Sequence, residues 1–452
     1  MKVHFISIGG SVMHQLAIAL KRKGYVVTGT DDEIFEPAKT NLAAENLLPA
    51  TIGWQPELIT SDIDAIILGM HAKSDNPELE KAKALNLKIY SFPEYIYQES
   101  MNKKRIVVGG SHGKTTTTSM IMHVLKKLHK DFDYLVGARL EGFDQSVNIT
   151  NAPVIVCEGD EYPASAIERK PKFHFLFPHI AILTGIAWDH INVFPTFEFY
   201  LEQFIIFINK IEKDGLLIYN ETDETLKKLV EENRRSDIRY QPYAIPTHQI
   251  NQGKTTIQIE GNEGAINVFG NHNLLNLTAA YYACKSIGID AAEFVTAIAD
   301  FTGAAKRLEL MASNNETNVY RDFAHAPSKV KATIDAVKQQ YPTRKLIGIL
   351  ELHTFSSLNE NFMNEYNGAL DKADVAVVFY SRHALELKRM PDLPKEKVIA
   401  GFNKAGLAVL NDKETLWQFM QEQNYSNANL VLMSSGNYDG LDMISFAESI
   451  TK

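Results

Sequence analysis

The sequence has little cysteine: Cys157 and Cys284 are the only two in 452 residues. A disulfide framework and a cysteine-based zinc site are therefore excluded, and a reducing compartment is expected. No apolar run reaches the roughly 18 residues of a membrane-spanning helix. The first residues, MKVHFISIGG, lack a basic leader, a long apolar stretch and a small-residue cleavage site. They read as a strand and not as a signal peptide, so the expected location is cytoplasmic, with no membrane partner. Glycine and proline number 26 and 16, too few for a collagen-like or low-complexity chain. Positive charge is also short: 46 Lys and Arg against 55 Asp and Glu leave a net charge of −9. That argues against a nucleic-acid partner but leaves room for one basic phosphate pocket. No pattern specifies an oligomeric state.

What is present is ordinary globular composition, 45% hydrophobic and 22% charged. At about 150 residues per domain the length predicts three domains. Alternating strand and helix patterns divide the chain at 1–101, 102–312 and 313–452. Each part begins with or contains α/β alternation, and a parallel, doubly wound sheet is expected in the first. In the first, VHFISIGG is a buried-strand run, MHQLAIALKRKG a helix stopped by Gly24, and YVVTGTD a second strand ending at Asp31. The polar stretch 98–105 (QESMNKKR) reads as a linker. The aromatic-rich run 194–211 reads as a core helix. Both cysteines read as core residues.

The strongest local signal is Gly109-Gly110-Ser111-His112-Gly113-Lys114-Thr115-Thr116. It follows a strand and opens a helix, so backbone N–H groups and the helix N-terminus can hold phosphate oxygens. Lys114 can neutralise the outer phosphates and the Thr115 hydroxyl can ligate Mg²⁺. Val108 stands where the strict pattern has its first glycine. Glu158-Gly159-Asp160-Glu161, after the strand VIVC, is placed to hold Mg²⁺ beside a triphosphate. From these residues alone a solvated acidic loop is the stronger reading. Trp188-Asp189-His190 follows another strand, and a lone histidine such as His190 is more often structural than a ligand. The turn Ile8-Gly9-Gly10, with Asp31 ending the next strand, is compatible with pyrophosphate binding and equally with a plain turn. The full G-x-G-x-x-G is absent, so no NAD site is read.

Taken in order, these motifs resemble the Mur ligase family, ATP-dependent amide-forming enzymes of peptidoglycan precursor synthesis. The resemblance spans nearly the whole chain. It adds Asp75-Asn76-Pro77-Glu78, Gly270-Asn271-His272-Asn273-Leu274-Leu275-Asn276, Lys306-Arg307-Leu308-Glu309 and Asp322-Phe323-Ala324-His325-Ala326-Pro327. It implies a Rossmann-like UDP-binding domain, a central ATPase-type domain and a Rossmann-like C-terminal domain. It also implies ATP binding by Gly110, Ser111, His112, Gly113, Lys114, Thr115, Thr116, Asn273, Asn276, Arg307, Asp322 and His325. Within that set Lys114 meets the γ-phosphate, Asn273 and Asn276 the adenine, Arg307 a phosphate and Asp322 the ribose. Two Mg²⁺ ions are implied, one on Thr115 and Glu158 and one on His190. Lys114, Glu158, His190 and Arg307 are the implied catalytic residues. Ile8, Gly9, Gly10, Ser11, Asp31 and His71 are implied to hold a UDP-sugar.

Within the family, the glycine turn and Asp75-Asn76-Pro77-Glu78 suit the branch that accepts UDP-N-acetylmuramate itself. One type in that branch adds L-alanine. The other, a recycling enzyme, adds L-Ala-γ-D-Glu-meso-diaminopimelate. Glu161-Tyr162 followed by AIERKPKFHFLFP resembles the second type, as does Met433-Ser434-Ser435-Gly436-Asn437-Tyr438-Asp439-Gly440. The chain departs from the family at Ser7, Val12, Gly185, Arg321 and Ala326, and Glu351-Leu352-His353-Thr354-Phe355 matches neither type. Two other readings stand beside this one. A nucleotide-binding regulatory protein would release phosphate without forming an amide. A dehydrogenase read from the first domain alone is opposed by the phosphate loop.

Overall fold

The computed structural model describes residues 1–137, 140, 142–165, 168–188, 193–303 and 307–452. Two compact units emerge: Met1–Ala244 with Leu275–Ile298, and Ile245–Leu274 with Ala299–Lys452.

The first unit carries two sheets. Strands β1 (Lys2–Ile6), β2 (Val26–Thr30), β3 (Ala65–Leu68) and β4 (Ile89–Ser91) form a parallel sheet in the order β2-β1-β3-β4. The expected doubly wound arrangement is present. Both faces of β1 are covered: Val3, His4, Phe5 and Ile6 are fully buried, and the His4 ring lies 2.8 Å from the Thr28 hydroxyl. The second sheet uses β5 (Lys104–Gly109), β6 (Asp133–Leu135), β7 (Val147–Asn148), β8 (Val154–Glu158), β9 (Ile180–Leu183), β10 (Leu216–Asn220) and β11 (Arg239–Tyr243). Their order is β11-β10-β9-β5-β8-β6-β7, parallel except for β7. β8 and β9 flank β5, so their C-terminal ends converge on the loop that follows it. The run 194–211 forms the helix Phe197–Asn209, capped by the Thr196 hydroxyl. It buries Tyr200, Phe204 and Phe207 in the core, as expected. Cys157 and Cys284 are free and buried.

The stretch 98–105 is a connector only at 100–103. A capping box of Ser91 and Glu94 starts the helix Phe92–Glu99, and β5 begins at Lys104. Arg105 is buried: its guanidinium donates to the carbonyls of Phe177 and Ser100 and pairs with Glu212 at 2.6 Å. A charged residue with satisfied buried donors looks like a solvated one in a polar string.

The second unit carries a small antiparallel sheet, β12 (Thr247–Asn251), β13 (Lys254–Ile259) and β14 (Asn262–Ile266). Its larger sheet uses β15 (Glu309–Ser313), β16 (Thr317–Asp322), β17 (Lys345–Glu351), β18 (Val375–Phe379), β19 (Ala408–Leu410) and β20 (Ala428–Met433). The order is β15-β16-β20-β17-β18-β19, parallel except for the β15 edge. β20 thus lies between β16 and β17, a point where the winding reverses and α/β sheets open a crevice.

Candidate active site

The phosphate loop runs from the end of β5 into the helix Lys114–Lys127. Gly110 and Gly113 hold φ of 124° and 80°, the left-handed region that favours glycine. Space also requires glycine there. A Cβ at Gly110 would collide with the Thr184 hydroxyl, and one at Gly113 with the Asn276 amide. The loop is tied down from the segment after β9. The Thr184 hydroxyl donates to the His112 carbonyl, and the Ser111 amide donates to the Gly185 carbonyl at 3.0 Å. Ser111 Oγ accepts from the Ala187 amide at 2.9 Å and lies 2.8 Å from Tyr200 OH. Gly185 has φ of 152°, and a Cβ there would press on the Asp223 carboxylate.

Lys114 Nζ donates to the Gly110 carbonyl and to Glu161 Oε2, both at 2.7 Å. Burial pulls its pKa down, but Glu161, Asp160 and Glu158 outweigh that, and the net shift is upward. Lys114 is therefore a fixed ammonium, suited to an anion and not to proton transfer. Thr115 Oγ1 donates to Glu158 Oε1 at 2.6 Å, and Glu158 Oε2 accepts the Gly137 amide at 2.9 Å. A hydroxyl beside a carboxylate is a hard-oxygen pair that fits Mg²⁺, which takes few protein ligands and completes its shell with phosphate and water. Among the described residues no cluster of three or more His, Cys, Asp or Glu is placed to hold a metal. His190 lies outside the described residues.

The acidic loop is thus not a solvated one. Glu158 and Glu161 bind the phosphate-loop side chains, and Asp160 Oδ2 pairs with Lys172 at 2.8 Å. Burial raises the Asp160 pKa, but Lys172 and Lys114 more than reverse this and hold it below the usual carboxylate range.

The same unit holds a cleft of about 640 Å³ at the glycine turn. Gly9, Gly10, Ser11 and His71 line it, together with Phe35, Phe92, Ser146 and Lys172. Ile8 is fully buried, backbone included, donates its amide to the Thr30 carbonyl at 3.0 Å and does not line the cleft, so it supports the turn from the core side and is not brought to a ligand. Asp31 is buried and accepts the Gly9 amide at 2.7 Å, which shapes the turn. Desolvation, with Asp32 adding to it, raises the Asp31 pKa to about 6.

In the second unit, Asp322 ends β16. Its oxygens accept from the Thr333 hydroxyl at 2.6 Å and the Ala324 amide at 3.1 Å, which leaves a lone pair on each. Burial raises its pKa against the pull of Thr333, His272 and Arg307. Arg307 lies over the Phe323 ring at 4.9 Å, and His325 Nδ1 is 2.8 Å from the Phe323 carbonyl. Asn273 Nδ2 donates to the Phe269 carbonyl at 2.9 Å. Asn276, one turn further along the helix Asn271–Lys285, belongs to the first unit and sits against Gly113. The sequence reading missed Lys172, whose partner Asp160 lies across an intervening loop, and Thr184, whose partner His112 is 72 residues away.

Family profiles cover all three segments. "Mur ligase family, catalytic domain" matches residues 2–104, "Mur ligase middle domain" 108–284 and "Mur ligase, glutamate ligase domain" 306–436. A UDP-N-acetylmuramate–L-alanine ligase of Caldicellulosiruptor bescii is 30% identical over 423 residues, 90% of this chain and 89% of that one. The chain belongs to the Mur ligase family. As a Mur ligase it is an ATP-dependent carbon–nitrogen ligase of peptidoglycan biosynthesis. The fold is shared with a murein peptide ligase of Psychrobacter arcticus, at a TM-score of 0.62 and 21% identity over 100% of this chain and 98% of that one. It is likewise shared with a UDP-N-acetylmuramate–alanine ligase of Thermotoga maritima, at 0.67 and 22% over 100% and 98%. Among the described residues of this Mur ligase, no helix is long and apolar enough to cross a membrane.

Proposed function

We propose that this Mur ligase joins the lactyl carboxylate of UDP-N-acetylmuramate to the amino terminus of L-Ala-γ-D-Glu-meso-diaminopimelate, as a murein peptide ligase. The observation that carries the chemistry is one acidic loop serving both sites: Glu161 holds Lys114 of the phosphate loop, and Asp160 holds Lys172 of the glycine-turn cleft. Residues 1–101 would bind the UDP-sugar and 102–312 the ATP, and 313–452 would be the C-terminal ligase domain. The choice of tripeptide rests on the likeness of 161–178 and 433–440 to the recycling type. The second reading, addition of L-alanine, is favoured by the names of the curated relatives.

The carboxylate oxygen attacks the γ-phosphorus of ATP, the bond to the bridging oxygen breaks, and ADP leaves. The amine then attacks the acyl-phosphate carbon, phosphate departs, and the ammonium nitrogen loses a proton. Two anions must meet, so the fixed charge of Lys114 acts where negative charge accumulates. Thr115 and Glu158 would hold one Mg²⁺ and His190 a second, and such ions neutralise phosphate charge. Asn273, Asn276, Arg307, Asp322 and His325 would hold the nucleotide. Gly9, Gly10, Ser11 and His71 would hold the UDP, with Ile8 and Asp31 shaping the turn from behind.

The test is amide product by mass spectrometry, with Mg-ATP, UDP-N-acetylmuramate and either amine. Product with the tripeptide and not with L-alanine is expected. Product with L-alanine alone would move the enzyme to primary synthesis.

A further inference from the structure

Lys172 pairs with the same acidic loop that holds Lys114 of the phosphate loop. It lines the glycine-turn cleft, and among the described lining residues it is the only lysine or arginine. Glu36 and Asp144 line the same cleft and repel an anion there. Its position is built, not incidental. The Lys172 amide donates to the Tyr162 carbonyl at 2.9 Å, and the Phe173 amide to the Asp160 carbonyl at 3.2 Å. Phe173 is fully buried and stacks on His174 at 4.8 Å and on Phe207 at 4.7 Å. The ammonium lies 5.6 Å from the ring of Phe92, another cleft residue. Its partner Asp160 is the loop residue between Glu158 and Glu161, and feels the charge of both Lys172 and Lys114.

An ammonium has three donors. Asp160 accepts one of them, so a ligand carboxylate can be received without breaking the pair. Gly137 also lines the cleft and donates to Glu158 beside Thr115, so a carboxylate reaching from a UDP in the cleft toward the phosphate loop would pass the acidic loop that holds Lys172. We propose that Lys172 receives the acceptor's carboxylate and aims it at the phosphate loop, with Asp160 fixing the ammonium. This rests on the acceptor reading above.

The test compares two UDP-sugars that differ in the lactyl carboxylate, UDP-N-acetylmuramate and UDP-N-acetylglucosamine. Calorimetric dissociation constants are measured on the wild type, Lys172→Met and Lys172→Arg, with ATP affinity and Tm as controls. The wild type is expected to prefer the muramate at least tenfold. Lys172→Met should bind both sugars alike, Lys172→Arg should recover much of the preference, and ATP affinity should not change. A Lys172→Met enzyme that keeps the wild-type preference overturns the proposal. Equal weakening toward both sugars overturns it too, since the cation would then serve the diphosphate. Should Lys172→Met fold poorly, Lys172→Gln reads the same ratio. A wild type that binds neither sugar refutes the acceptor reading itself.

Discussion

Lys114 and Glu161 form a buried ion pair beside the phosphate loop, Nζ to Oε2 at 2.7 Å, with their side chains 13% and 2% exposed. Glu161 and the Gly110 carbonyl take two of the ammonium's three donors, so a γ-phosphate takes the third and competes with Glu161 for its charge alone. Lys114→Met is expected to lower ligase turnover on the order of a thousandfold, because the charge that draws two anions together is gone. Glu161→Gln removes the competitor, so KM for ATP should fall severalfold. Tm should fall as well, since a buried ammonium loses its counter-charge. Steady-state kinetics and a melting curve read both. Wild-type turnover in Lys114→Met would end the phosphate role.

The hydroxyl of Thr115 donates to Glu158 in the structure, and a metal held by this pair would replace that hydrogen bond. Glu158→Gln keeps the shape and removes the charge. The free Mg²⁺ needed for half-maximal rate should rise roughly ten- to a hundredfold at saturating ATP. EDTA should abolish wild-type activity and excess Mg²⁺ restore it. An unchanged Mg²⁺ requirement in Glu158→Gln would place the metal elsewhere.

The phosphate loop was legible because its parts are consecutive: strand, glycines, Lys114, Thr115 and helix follow one another. The glycine turn and the parallel first sheet were legible for the same reason. Pairings across the chain were not. Nothing near Asp160 or Lys172 in sequence says that one holds the other, and acidic loops are usually wet. The position of β20 between β16 and β17 is a crossover that periodicity does not encode. The β15 edge and β12 are short strands with weak alternation. Ile8 was legible as the end of a buried run, and it is buried.

Arg105 shows the same limit and gives a test. Its partner Glu212 is 107 residues away, and the polar string around it reads as a linker. The side chain also satisfies the Phe177 and Ser100 carbonyls. Arg105→Met leaves both without this donor, a loss of about 2–4 kcal/mol. Tm should fall by roughly 5 °C or more, with ATP affinity unchanged in the protein that remains folded. A fall of under about 1 °C would mean that water replaces the guanidinium at little cost.

His174 stacks on Phe173 in the segment that carries Lys172, and its Nε2–H donates to the Gln203 carbonyl at 2.8 Å. Burial lowers its pKa to about 4, only partly opposed by that carbonyl. The folded state therefore holds a neutral ring where the unfolded chain, near pKa 6.5, takes up a proton. The stability of the neutral ring is fully present above pH 6.5 and is lost as pH falls toward about 4. A two-and-a-half-unit shift corresponds to a loss on the order of 3 kcal/mol. His174→Phe removes this proton uptake, so its Tm should fall less steeply than the wild type's between pH 6.5 and 4.5. The wild-type imidazole should show no NMR titration until well below pH 6. Parallel Tm profiles for the two proteins would mean that the ring is solvated, and that the segment behind Lys172 is less firmly packed than Phe173 indicates.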